Sequence, residues 1–199
     1  MTEHARPRVI IAPFEPFGGR KRNRARDAAR LLAHEEVGGA PVEIVELPVA
    51  YAAIPDAVRR LLARDPALVV LVGETPEART LLVERLAVNV AHARISDNAG
   101  ARPIDDELVP GGEAARRVPF DPRTAANAAI AAGCPAEVSS HAGTFCCNAA
   151  LYHALGLAAQ HPKRPRVAFV HVPARFPWAR DHRAARGLLA IANHLTRLS

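Results

Sequence analysis

Apolar positions along the chain fall into two rhythms, short continuous runs and one-sided helical stripes. Val9, Ile10 and Ile11 form a β-branched run ending at Pro13, and Asp27 to His34 reads as a helix with Ala28, Leu31 and Leu32 on one side. Val42 to Val49 alternates apolar with polar residues as a strand does. Pro55 suits the first turn of a helix that reaches Ala63, with Val58, Leu61 and Leu62 facing inward. Ala67 to Val72, ALVVLV, is almost wholly apolar, which predicts a strand covered on both faces.

The second half continues the alternation. Leu81 to Ala91 reads as strand, from its Val/Leu content and its interrupted helical stripe. From Ser96 to Pro122 four prolines and three glycines predict an extended loop or a short hairpin excursion. A helix over Thr124 to Ala132, stopped by Gly133, precedes a short strand from Ala136 to Ser140. A helix over Asn148 to Gln160, a buried strand over Val167 to Val172 and an amphipathic helix from Ala184 to Leu198 follow. The pattern predicts an α/β fold: a single three-layer α/β/α sandwich around a twisted, mostly parallel mixed sheet, with residues 1–199 as one domain.

Composition narrows the class. The 199 residues, 49% apolar and 23% charged, are ordinary globular usage and exclude a disordered chain, a collagen or a coiled coil. No apolar stretch approaches the roughly 18 residues of a membrane span, and MTEHARPR lacks a secretory apolar run, so a cytoplasmic protein without membrane contact is expected. The net charge is +6. Its densest cluster, Arg20, Lys21, Arg22, Arg24 and Arg26, has no interleaved aromatics to stack on bases, so no nucleic-acid partner is expected. Cys134, Cys146 and Cys147 make neither a C-x-x-C pair nor a disulfide framework.

Gly18-Gly19 reads as a tight turn needing positive φ, since no phosphate-cradling glycine pattern surrounds it. His141, Cys146, Cys147 and His153 crowd one region without zinc spacing, so no metal is expected. Cys147 falls where small residues pass from a strand into a helix. Unpaired N–H groups and the positive helix end there favour a thiolate, making Cys147 a nucleophile candidate. Cys146 should point elsewhere, and Cys134 reads as a loop or core cysteine. A nucleophilic thiol needs a base. His171 ends the apolar strand VAFVHV, where α/β sheets open their crevices, although flanking valines also suit a core histidine. His141 competes by proximity to Cys147, and Glu84, an acid within an apolar run, could pair with Arg85 or Arg79.

Four blocks together resemble the pyroglutamyl peptidase I family of cysteine peptidases. They are VIIAPFEPFGG (Val9 to Gly19, followed by Asn23), VERLAVNVAHARISDNAG (Val83 to Gly100), AGTFCCN (Ala142 to Asn148) and FVHVP (Phe169 to Pro173). The resemblance implies Cys147 as nucleophile, His171 as base and Glu84 as the acid orienting the imidazole. It further implies removal of an N-terminal pyroglutamate from peptides without cofactor or metal, and often a homo-oligomer. Phe14, Phe17 and Phe145 then line a pocket for a small neutral lactam, bordered by Asn23, Glu74 and Cys146. The oxyanion would meet backbone N–H groups near Cys147 and the guanidinium of Arg94.

The chain departs from the family pattern at Pro13 (usually glycine), Glu74 (commonly glutamine) and Ser96 (proline), and its stretch after His171 is shorter and more basic. A nucleoside-phosphorylase-like enzyme and a non-catalytic pyroglutamyl-binding relative are the competing readings.

Overall fold

In the computed structural model, which describes residues 8–174 and 181–198, the apolar runs become the centre of one sheet. Strands β1 (Arg8–Pro13), β2 (Glu36–Val37), β3 (Ala40–Ile44), β4 (Pro66–Thr75), β5 (Leu81–Glu84), β8 (Ala136–Ser139) and β9 (Arg166–Pro173) assemble in the order β2-β3-β1-β4-β9-β5-β8. Pairing is parallel except between β2 and β3 and between β5 and β9. The mixed, mostly parallel sheet matches the expectation from the apolar runs. The basic stretch 175–180 and the N-terminal 1–7 lie outside the described residues.

Alternating side chains of the central strands feed two cores. Val9, Ile11, Leu68, Val70 and Val170 face α1 (Arg24–Arg30), α3 (Pro122–Ala131) and α5 (Asp181–Arg197). Ile10, Val69, Leu71 and Phe169 face α2 (Ile54–Leu62) and α4 (Cys146–Gln160). Each such side chain removed from water contributes about 1.5–3 kcal/mol, which is why β4 and β9 tolerate almost no polar residue.

Several boundaries differ from the sequence reading: β3 ends at Ile44 and not Val49, and α3 starts at Pro122 and not Thr124. Helix α1 starts at Arg24, before the expected Asp27, because Asn23 caps it by accepting from the Ala25 and Arg26 N–H groups at 2.9 and 3.3 Å. It ends at Arg30, where the amides of Leu31 and Leu32 turn back to Ala28 and Ala29. The expected strand Leu81 to Ala91 is two strands: after Glu84 the chain leaves the main sheet, and β6 (Leu86–Val88) pairs antiparallel with β7 (Ala115–Arg117). The expected 96–122 loop therefore contains a hairpin partner.

The basic cluster is largely consumed by ion pairs. Arg22 meets Asp27 at 2.8 Å, Arg26 meets Glu46 at 2.6 Å and Arg20 meets Glu74. Among the described residues no helix is long and apolar enough to cross a membrane.

Helix α5 approaches the sheet through Gly187. A Cβ there would lie 2.6 Å from Leu81 Cδ1 and 2.7 Å from Cys134 Sγ. Glycine to alanine in an open helix gains about 1 kcal/mol, whereas overpacking a core costs about 1–3 kcal/mol. Gly187→Ala should therefore lower the thermal midpoint by roughly 2–6 °C, and adding Cys134→Ala should restore part of the loss, both read by circular dichroism.

Candidate active site

The carboxyl ends of parallel β1, β4 and β9 share one edge of the sheet, the usual position for a crevice in such folds. At that edge the register sets Gly73 and Glu74 of β4 beside His171 and Val172 of β9. Antiparallel β5 runs along the other side of β9 and ends at Glu84. The result is a cavity of about 840 Å³ lined by Phe14, Phe17, Phe145, Cys147, His171 and Glu74, among others.

Glu84 and His171 are both buried, and Glu84 Oε1 lies 2.7 Å from His171 Nδ1. A carboxylate accepts only, so the hydrogen bond assigns the proton to Nδ1 and leaves Nε2 for the neighbouring sulfur. Burial alone drives an imidazolium to lose its proton. The charge of Cys147 and its hydrogen bond, with those of Glu84, outweigh burial and raise His171 from an ordinary 6.5 to about 9. This places Cys147, His171 and Glu84 in one electrostatic unit.

Cys147 is the second residue of α4, whose N-cap, Phe145, makes no side-chain capping bond. The N–H groups of that first turn therefore carry no side-chain cap at the cavity wall. Helix α4 starts two residues before the expected Asn148, and this extension is what carries both cysteines. Cys146 borders the same cavity, yet it is buried in the core formed with α2, and burial pushes its thiol far up. Gly73 makes the close approach possible: a Cβ there would stand 2.8 Å from Cys147 Sγ and 3.0 Å from His171 Cδ2. Gly73 carried no expected role, although a lone glycine in an apolar strand signals such an approach.

The aromatic wall is continuous. Phe17 and Phe145 have ring centroids 6.0 Å apart, and Tyr51 meets Phe145 edge-on at 5.6 Å. Phe14 is buried against Phe169, which itself packs at 4.7 Å from the His171 ring. Gly18 and Gly19 have φ of 62° and 73°, the tight turn expected after Phe17. Pro13 stays in register opposite Val72, and its carbonyl accepts the Leu47 N–H at 2.8 Å, so the sheet ladder continues into the Phe14 loop.

Several expected pocket residues border the cavity while their polar atoms are engaged by neighbouring groups. Asn23 caps α1 and donates to the Glu15 carbonyl at 3.1 Å, tying the phenylalanine loop to the helix. Glu74 is buried; its Oε2 accepts the Arg24 N–H at 2.7 Å and its Oε1 pairs with Arg20. Arg94 stands on the rim, 83% exposed, with Nη2 3.5 Å from Glu77. His141, the competitor by proximity to Cys147, is exposed at the cavity wall and accepts the Gly143 N–H at Nδ1, whereas it is His171 that the Glu84 carboxylate holds. Cys134 is buried in the opposite core.

Other polar residues that the sequence analysis quoted without a role turn out to lace the loops. Asn148 exchanges hydrogen bonds with the Val88 backbone and donates to the Val90 carbonyl, fixing α4 to the segment after β6. Asp97 accepts the amides of Tyr51, Ala99 and Ala101 at 2.8–2.9 Å. Asn98 reaches Glu15, which also holds the Val49 N–H. Among the described residues no three His, Cys, Asp or Glu side chains gather as a metal-binding group.

Comparison with known proteins agrees with this arrangement. A family model for pyroglutamyl peptidase matches residues 7–184. The pyrrolidone-carboxylate peptidase of Cupriavidus taiwanensis is 41% identical over 169 residues, spanning 84% of this chain and 78% of that protein. Its namesake from Streptomyces coelicolor is 41% identical over 167 residues, 83% and 77% of the two chains. Among solved structures, pyroglutamyl peptidase I of Bacillus amyloliquefaciens superposes with a TM-score of 0.89 at 26% identity, covering 96% and 97% of the two chains. Pyrrolidone carboxyl peptidase from Thermus thermophilus gives 0.85 at 30% identity, covering 94% and 99%. With the match spanning nearly the whole described fold, the chain belongs to the pyroglutamyl peptidase family of cysteine peptidases, which are hydrolases.

Proposed function

We propose that this chain hydrolyses the amide bond after an N-terminal pyroglutamyl residue, with Cys147 as nucleophile, His171 as base and acid, and Glu84 as the group that orients the imidazole. The observation that carries the reading is the short Glu84–His171 hydrogen bond with Cys147 held on the other side of the ring.

The lactam ring is small, neutral and without an ammonium, so an aromatic cup of Phe14, Phe17 and Phe145 suits it. Thiolate Cys147 adds to the carbonyl carbon, and the oxygen takes up the negative charge. The uncapped N–H groups that open α4 meet that oxyanion; Arg94 could join them only by leaving Glu77. His171, protonated at neutral pH, gives its proton to the leaving amine as the tetrahedral adduct collapses to a thioester. Water, deprotonated by the now neutral imidazole, adds to the thioester; collapse releases pyroglutamate and restores the thiolate.

The outcomes that test this reading concern Cys147, His171, Glu84 and Gly73 in turn. Cys147→Ala should lose essentially all turnover of a pyroglutamyl chromogenic amide, and iodoacetamide should abolish wild-type turnover; full activity in either case would sink the assignment. Because His171 holds its proton to about 9, kcat/KM should fall on the alkaline side near that pH. Glu84→Gln removes a carboxylate charge that favours the imidazolium. The alkaline limb should therefore move to lower pH, and kcat should drop by roughly 10³–10⁴-fold. An unmoved limb with wild-type kcat would remove Glu84 from the mechanism. Finally, Gly73→Ala should slow alkylation of Cys147 and lower kcat by about 10²-fold while the circular dichroism spectrum is retained, since its methyl would displace the sulfur and the ring.

A further inference from the structure

We propose that Arg20 is a specificity-determining residue that reads a carboxylate on the peptide just beyond the ring, an inference that rests on the proposed pyroglutamyl peptidase activity. Arg20 follows the Gly18-Gly19 turn and borders the cavity. Two contacts hold its head group. Its Nη1 pairs with Glu74 Oε1, and its guanidinium carbon lies 4.5 Å above the centre of the Phe17 ring. Glu74 is itself held from behind, through Oε2, by the Arg24 N–H at 2.7 Å.

The burial of the pair is asymmetric. The Glu74 side chain is 2% exposed and that of Arg20 is 46% exposed. The carboxylate lies in the floor and the cation faces the opening, so an approaching ligand meets positive charge first. A guanidinium carries five N–H donors in a planar fork, and a single ion contact from Nη1 to Glu74 leaves the other donors for a ligand. Stacking on Phe17 fixes the plane further.

The remaining charged groups around the cavity do not offer the same site. Glu84 is committed to His171, His92 to Asp105, and Arg94 to Glu77 with both partners more than three-quarters exposed. Arg94 shares an exposed rim with its carboxylate, whereas Arg20 is anchored by a buried one. Phe17 ties the cation to the ring cup, because the face of Phe17 that Arg20 covers belongs to the same side chain that walls the cavity beside Phe145. A peptide whose ring fills the cup leaves through the mouth that Arg20 borders. A lactam has no charge for this cation to pair with, so the matching anion lies further along the peptide, either as an acidic side chain at the second residue or as the terminal carboxylate of a dipeptide.

The test compares four substrates: pyroglutamyl-glutamic acid amide, its isosteric pyroglutamyl-glutamine amide, pyroglutamyl-alanine amide and pyroglutamyl-alanine free acid. Wild type should favour the glutamic acid amide over the glutamine amide by roughly 5-fold in kcat/KM, carried by KM, the size expected of a half-exposed charge pair. If the terminal carboxylate is the anion read, the free acid of the alanine pair gains instead. Arg20→Gln should abolish or invert either preference, because Glu74 then faces the mouth unneutralised. Arg20→Gln/Glu74→Gln removes both charges and should bring the ratios to about one, which separates loss of recognition from damage by an orphaned buried carboxylate. Calorimetric binding of the same amides to Cys147→Ala reads the preference without turnover. Failure of wild type to turn over any pyroglutamyl amide counts against the proposed activity, while the binding ratios still decide Arg20. Ratios near one in wild type, or a preference that survives in the double variant, would overturn the proposal.

Discussion

An imidazole shut away from water gives up its proton unless the protein supplies negative charge to hold it, and this site supplies that charge from both sides. Glu84 approaches Nδ1 from β5, and the sulfur of Cys147 approaches from the start of α4. Each contribution fails without the other's geometry. A lone buried glutamate beside the ring would have to remain charged in a poorly solvated place, which costs several kcal/mol. A lone thiolate would lack an oriented cation. The antiparallel insertion of β5 next to β9 is therefore more than a variation in sheet topology, because it brings a carboxylate from a neighbouring strand to the Nδ1 edge of the imidazole.

A second constraint is one of space. The sulfur, the imidazole and Phe169 converge over the α-carbon of Gly73, and every other residue would put a carbon where they meet. Strand β4 is otherwise packed with side chains that fill both cores, so this absent side chain creates room where the register aligns Gly73 with His171. The sheet thereby combines a dense interior with one deliberate vacancy at its carboxyl edge. The loops above it are held by amides and carboxylates such as the buried Asn148 and Asp97 and the half-buried Glu15, whose hydrogen bonds go mainly to backbone atoms. Side chains used in this way fix loop positions without adding apolar bulk to the cavity.

This division explains what could be read from the chain before its structure. The strands over Val9 to Ile11, Ala67 to Val72 and Val167 to Val172 were legible because burial on both faces leaves them almost wholly apolar, His171 being the exception. Cys147 and His171 stood out because a helix start and a strand end are positions with known chemical consequences. Glu84 did not separate from its neighbours by pattern, since its partner lies 87 residues away and only strand pairing joins them. Asn23 suggested a pocket group by its place in a motif, yet its hydrogen bonds serve the helix it begins. Local sequence carries the capping signal but not the cavity on the far side of the same residue.

The break between β5 and β6 shows the same limit from another direction. Leu81 to Val88 is apolar apart from Glu84 and Arg85, and no glycine, proline or other turn residue marks the point where the chain changes sheets. The change is enforced by partners from elsewhere: the Arg85 N–H donates to the Ser139 carbonyl, and the Arg85 carbonyl accepts the Val118 N–H. By leaving the main sheet there, the chain ends β5 at Glu84 instead of carrying it into the interior of a longer strand. The carboxylate thus sits at a strand end, where it reaches the imidazole, and the following segment is free to be clamped by Asn148 next to the sulfur. One interruption in strand pairing positions Glu84 and secures the helix that presents Cys147.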